Sequence, residues 1–290
     1  MGILILVIGK YGQLAKSFHK LKPNAYFLSS KEINLIEIQK IHKILSSYKP
    51  KLICNFSAFN KVDEAEKNSK NELINSDSLL ELGKFSKERK IPIIHISSDY
   101  VFDGTKGDYK ESDQTNPVNN YGLAKLSGEQ NLTASSYSCL IIRTAWLYSR
   151  YKNNVLEKVI NNIEDRHQLA GAYDCIGSPT SATSLAKAIM KIIPQYLNNI
   201  SLEGIYHFAN QGAVSRHDFI EEIQNLFISN SLKKYTPLKI AKVKNSFFNL
   251  PAQRPHNTSL NSDKILTTFN IESSYWKEEL NQEIIYRKKT

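Results

Sequence analysis

The chain has 290 residues, 41% of them hydrophobic, enough to bury a sizeable core in one large or two modest domains. Its formal net charge is +10, but the lysines are scattered and the only dense basic run is Arg287-Lys288-Lys289; this excludes nucleic acid as a partner and suits capture of a small anionic substrate. No apolar run reaches the roughly 18 residues that span a membrane, and the three cysteines, Cys54, Cys139 and Cys175, cannot all pair and lack zinc spacing, which fits a cytoplasmic protein whose site holds no metal.

In chain order, residues 3–8 form a continuous apolar run, as expected of a strand inside a parallel sheet. Gly9-Lys10-Tyr11-Gly12-Gln13-Leu14-Ala15 follows and opens a helix running to about Leu21. In this G-x-x-G-x-x-A turn the glycines let the backbone approach a pyrophosphate, and the helix N-terminus faces its charge. A short second strand is expected at Tyr26-Phe27-Leu28. A strict NAD site offers an acid at its end, where this chain offers Ser29, Ser30 and Lys31. Two hydroxyls and an ammonium there suit a 2′-phosphate, so NADPH is the expected cofactor, with NADH tolerated.

Apolar spacing predicts a helix over 36–48, a strand over 51–55 and helices over 62–66 and 72–89. The run Ile91 to Ile96 is a buried strand that ends in Ser97-Ser98-Asp99. Tyr121 and Lys125 then stand four apart, and the segment from Gly122 to Gln130 suits a helix, which puts both side chains on one face. An ammonium close to a phenol lowers its pKa, so the phenol can give or take a proton near neutral pH. With the Ser98 hydroxyl beside it, the group suits reversible carbonyl-to-alcohol chemistry. A strand over 139–143 completes an alternation that reads as a doubly wound, Rossmann-type α/β sheet. Beyond residue 150 the alternation loosens into a helix over 154–163, a turn at Gly177-Ser178-Pro179-Thr180, a helix over 184–193, a strand over 205–210 and a helix over 216–227 capped by Ser215. Two domains are expected: 1–150 for the dinucleotide, and 151–290 mainly for the substrate, with segments near 176–210 returning to the first.

These motifs, in this order, resemble the extended short-chain dehydrogenase/reductase superfamily and, within it, the dTDP-4-dehydrorhamnose reductase family. GKYGQLA, NFSAFNKVDEAE, SSDYVFDGT, NNYGLAK, RTAWLY, the Asn153-Asn154 region, IGSPT and AQRP carry the resemblance over nearly the whole chain. It implies NADPH-dependent reduction of a nucleotide-linked 4-keto-6-deoxysugar in dTDP-rhamnose and polysaccharide biosynthesis, by a monomer or a homodimer. Tyr121 is then the proton donor, Lys125 its activator and ribose ligand, and Ser98 the hydroxyl that the family usually supplies as threonine. Gly9, Gly12, Gln13 and Leu14 would wrap the pyrophosphate, Asn34 and Leu35 would lie near adenine, and Ala58, Phe59 and Asn60 would border the cofactor. Asp99, Tyr100, Trp146 and Asn154 would face the sugar nucleotide. Asn34 replaces the usual acid, Cys175 a glutamine, and Ser17 a glutamate with which some members hold magnesium between subunits. Asp99-Tyr100 lacks the Asp-Glu pair of the dehydratases. The alternatives are a reductase or epimerase of another nucleotide sugar, or a non-catalytic regulatory subunit of the methionine adenosyltransferase type.

Overall fold

The computed structural model describes residues 4–151 and 154–287; Ile3, Asn153 and the Lys288-Lys289 end of the basic run lie outside them. In chain order its main elements are β1 (Ile5–Ile8), α1 (Gln13–Leu21), β2 (Tyr26–Leu28), α2 (Ile41–Tyr48), β3 (Leu52–Asn55), α3 (Ser78–Arg89), β4 (Ile93–Ser98), α4 (Asn120–Ser135), β5 (Cys139–Thr144), α5 (Val155–Glu164), α6 (Ala182–Asn198), β6 (Gly204–His207), α7 (Arg216–Ser229), α8 (Asp263–Phe269) and α9 (Trp276–Arg287). The six strands form one parallel sheet in the order β6-β5-β4-β3-β1-β2. Every residue of β1, β3 and β5 is buried, which is why these strands read as unbroken apolar runs.

Two cores flank the sheet. Phe18 of α1, Val7, Ile94 and Ile142 of the strands, and Leu185, Ile189 and Ile192 of α6 fill one face. Leu6, Ile53, Ile93 and Ile141 meet Ile41 and Leu45 of α2 and Leu79, Leu82 and Phe85 of α3 on the other. A third cluster joins α5, α7 and α9 through Ile160, Phe219, Trp276 and Leu280.

Several elements differ from the sequence expectation. β4 reaches Ser98, so both serines belong to the strand. α4 begins at Asn120, because the Asn119 side chain accepts from the Gly122 N–H, and thus includes Tyr121 in its first turn. Ile176–Gly177 and Thr180–Ser181 are two-residue strands, and α6 starts at Ala182, capped by Ser181, and runs through Pro194. The last sixty residues hold a strand, Ile240–Val243, and two helices, whose short apolar periods were hidden among polar residues. Ahead of α3, Leu73–Asp77 forms a π-helical turn.

Candidate active site

The carboxyl ends of β1, β3, β4 and β5 converge on a cavity of about 520 Å³, the position at which open parallel sheets bind ligands. Its lining includes Gly12, Gln13, Leu14, Ala58, Asn60, Ser98, Tyr121, Lys125 and Trp146. Gly9 turns the chain out of β1 with φ +104°, and a Cβ there would lie 2.9 Å from the Ser57 nitrogen. Gly12 precedes α1 without a side-chain cap, which leaves the first-turn N–H groups open to an anion. The Ser97 and Thr144 hydroxyls are buried beside the cavity with no hydrogen-bond partner in the protein. Open N–H groups at one end and unpartnered hydroxyls at the other fit a dinucleotide laid from α1 towards β4 and β5.

α4 sits hard against the end of β4: a Cβ on Gly122 would fall 2.1 Å from the Tyr100 carbonyl oxygen. That contact brings Tyr121 over Ser98. Burial pushes the Tyr121 phenol up, against the pull of a hydrogen bond with Ser98. Lys125 is 1% exposed, and burial brings its ammonium down to about 8 while Glu129 opposes the fall. Its Nζ donates to the Ile96 carbonyl at 2.7 Å and lies 3.3 Å from His95 Nε2. The expected lowering of the phenol by the lysine is therefore corrected: the lysine's bonds go down to β4, and desolvation dominates at the tyrosine. A phenol held protonated in this way serves as a proton donor. Glu129, one turn beyond Lys125, forms a bidentate ion pair with Arg143 of β5 at 2.9 and 2.6 Å, with both side chains buried.

Asp99 is 2% exposed, and burial raises its carboxyl to about 6 against hydrogen bonds from Thr258 and Ser98. Next to it lies a second cavity of about 270 Å³, lined by Tyr100, Trp146, Cys175, Arg216, Arg254 and Thr258 among others. Trp146 lines both cavities. Its φ is +44°, its indole packs on Gly177, and the Arg216 guanidinium stands 3.5 Å from its ring centroid. Arg254 is tied to Asp63 at 2.8 Å.

The structure brings most, but not all, of the expected residues to these cavities. Ser29, Ser30, Lys31, Asn34, Leu35 and Phe59 line neither. Ser29 is engaged by an acid, for both its N–H and its hydroxyl donate to Glu32 at 2.8 Å. Lys10, Lys16, His19 and Lys20, with Tyr26 and Glu32, line a groove of about 580 Å³ beside β2, which shares Tyr11 and Lys16 with the larger cavity. Asn34 accepts from the Ile36 N–H and donates to Glu37, and Leu35 is core. The Phe59 backbone is clamped at N–H and C=O by Asn75 of the π-helical turn. Asn154 lines the larger cavity but spends its side chain on local bonds to Leu156, Ser149 and Tyr151. Arg216, Thr258 and Thr144 were missed as site residues. Thr144 was in view inside RTAWLY and Arg216 as the residue after a cap, whereas Thr258, in an irregular stretch, gave no signal. Among the described residues one His/Asp/Glu group is close enough to share a cation, His217, Asp218 and Glu221, on the first turns of α7.

Comparison with known proteins agrees with this geometry. Residues 3–287 match the family model described as the RmlD substrate binding domain. The chain is 31% identical to a dTDP-4-dehydrorhamnose reductase of Aggregatibacter actinomycetemcomitans, over 95% of this chain and 96% of that one. It is 30% identical to that of Escherichia coli K12, over 94% of each. Among solved structures, the Bacillus anthracis dTDP-4-dehydrorhamnose reductase in complex with NADP superposes with a TM-score of 0.88 at 27% identity, covering 99% of this chain and all (100%) of that one. A Clostridium acetobutylicum ortholog gives a TM-score of 0.89 at 29% identity, with the same coverage.

Proposed function

The chain belongs to the RmlD substrate-binding-domain family, that of the dTDP-4-dehydrorhamnose reductases, and on that premise we propose its reaction and assign its residues. It is an NADP-dependent oxidoreductase that reduces dTDP-4-dehydrorhamnose to dTDP-L-rhamnose. The observation that carries the assignment is the meeting of Tyr121, Ser98 and Lys125 on the wall of the larger cavity. Residues 1–150 hold the cofactor in this reading and 151–290 mainly the sugar nucleotide, with segments near 176–210 returning to the first part.

Bound NADPH supplies the hydride. Tyr121, kept protonated by burial, gives its proton to the oxygen that becomes the alcohol. Ser98 hydrogen-bonds the same oxygen, and the Lys125 charge beneath favours the negative charge developing there. Arg216 and Arg254 face the cavity on the far side of Trp146 and suit the diphosphate of the substrate. The groove of Lys10, Lys16 and Lys20 beside β2 supplies the positive field for the 2′-phosphate in place of Ser29. All of these groups come from one chain, so the reading holds for a monomer or a homodimer. No helix among the described residues is long and apolar enough to cross a membrane, and we place the enzyme in the cytoplasm. The test is to incubate the purified protein with NADPH and dTDP-4-dehydrorhamnose and follow nicotinamide absorbance; no oxidation above a control lacking the sugar nucleotide would remove the assignment.

A further inference from the structure

The segment Ala252-Gln253-Arg254 is fastened at two points to residues from the first half of the chain. Asp63 spends both of its carboxylate oxygens there: Oδ1 accepts from the Ala252 N–H at 3.3 Å, and Oδ2 accepts from Arg254 Nη2 at 2.8 Å. Arg254 Nη1 donates to the Ala252 carbonyl at 2.9 Å, so the guanidinium is held by two partners at once. A guanidinium carries five N–H groups in a rigid fork. The two bonds orient the fork, and the remaining N–H groups are left for the smaller cavity, which Arg254 lines. The second fastening is Asn119, the cap of α4. Its Nδ2 donates to the Gln253 carbonyl at 2.8 Å while its Oδ1 accepts from the Gly122 N–H.

Asp63 also adjoins the other site. It belongs to the one-turn helix Val62–Ala65, which follows directly on the turn Ala58-Phe59-Asn60. Ala58 and Asn60 of that turn line the larger cavity. We infer that Asp63 is a positioning residue that acts through Arg254, and that it couples the dinucleotide site to the diphosphate end of the sugar-nucleotide site. With Ala58 and Asn60 held against a dinucleotide, the helix that follows them is held too, and Asp63 aims Arg254 into the smaller cavity. The coupling is reciprocal: a cofactor that tightens binding of a nucleoside diphosphate is itself bound more tightly by the same factor. Folding stability does not account for the pair. The Asp63 side chain is 37% exposed and that of Arg254 15%, and an ion pair this open to water adds little to stability. What the carboxylate supplies is direction, because a long arginine stem without a fixed partner is free to turn.

This inference rests on the reductase reading, and binding without turnover separates the two. The probes are dTDP, which carries the diphosphate but no sugar, and NADP+, so no hydride can pass between them. Titration calorimetry gives the Kd of dTDP for the whole chain with and without saturating NADP+. In the wild type NADP+ tightens dTDP binding by about five- to hundredfold, the ordinary range of coupling between two sites. Asp63→Asn keeps the shape and removes the charge, and the factor falls towards one. A purely structural role for Asp63 lowers the melting temperature and leaves the factor intact, and that result would overturn the inference. Action through Arg254 has its own signature. Added to Arg254→Ala, the Asp63→Asn change costs dTDP binding nothing further, whereas losses that simply add show two independent residues and reject the inference. Should Asp63→Asn fail to fold, the wild type decides: a dTDP Kd that is the same with and without NADP+ sinks the coupling and leaves the reductase assignment, which turnover tests, standing. A chain that binds dTDP in neither state removes the sugar-nucleotide assignment and the inference with it.

Discussion

Replacing Glu129 by glutamine tests how α4, the helix that carries Tyr121 and Lys125, is held. The carboxylate receives Arg143 Nε at 2.9 Å and Nη2 at 2.6 Å, and the two side chains are 2% and 3% exposed. Glutamine keeps the shape, but its amide turns a donor towards Arg143 and leaves a buried cation without a counter-charge. Arg143 Nη1 already has no partner, so the guanidinium has nothing in reserve except the Phe102 ring 5.1 Å away. Breaking one side of a buried pair costs about 3–5 kcal/mol, a fall in Tm on the order of 10 °C for a chain of this size. A second effect follows at Lys125, whose ammonium Glu129 supports. Without that carboxylate the lysine titrates further below about 8, so the alkaline limb of kcat/KM moves to lower pH. Thermal unfolding and a pH profile measure the two effects on one preparation. The double variant Glu129→Leu with Arg143→Met removes both charges and recovers most of the stability. A Glu129→Gln protein within about 1 kcal/mol of wild type, less than breaking a buried pair costs, would refute the view that this pair anchors α4.

Four further outcomes follow from the site. Tyr121→Phe keeps the ring and removes the proton; turnover falls at least about a hundredfold with NADPH binding kept, and near-normal turnover would show another donor. Arg216→Ala raises KM for the sugar nucleotide by about ten- to hundredfold, the worth of one or two charge-assisted bonds, while KM for NADPH stays put; equal changes in both would place Arg216 elsewhere. Glu32→Gln removes a carboxylate from the end of β2, so kcat/KM for NADPH rises relative to NADH, and an unchanged ratio would clear Glu32 of any part in cofactor choice. Incubation with a chelator leaves turnover intact, because Tyr121, Ser98 and Lys125 need no Lewis acid; a loss that magnesium restores would show a metal at work, with His217, Asp218 and Glu221 the first place to look.

The sheet and the meeting of Ser98, Tyr121 and Lys125 on one cavity were legible in the sequence because both depend on local rules. Strands buried on two faces must be apolar throughout, and a four-residue spacing on a helix must place Tyr121 and Lys125 on one side. What could not be read was set by neighbours far along the chain. Nothing near Asp99 in sequence announces that Thr258 closes over its second oxygen, 159 residues away. Nothing near Lys125 announces that its ammonium bonds to Ile96 and approaches His95 instead of the phenol. Ser29 illustrates the opposite error. The residue was chosen for what its side chain could donate, but Glu32, three places on, takes both of its protons first. A polar residue type states which bonds it can make; only the fold states which of them are already made.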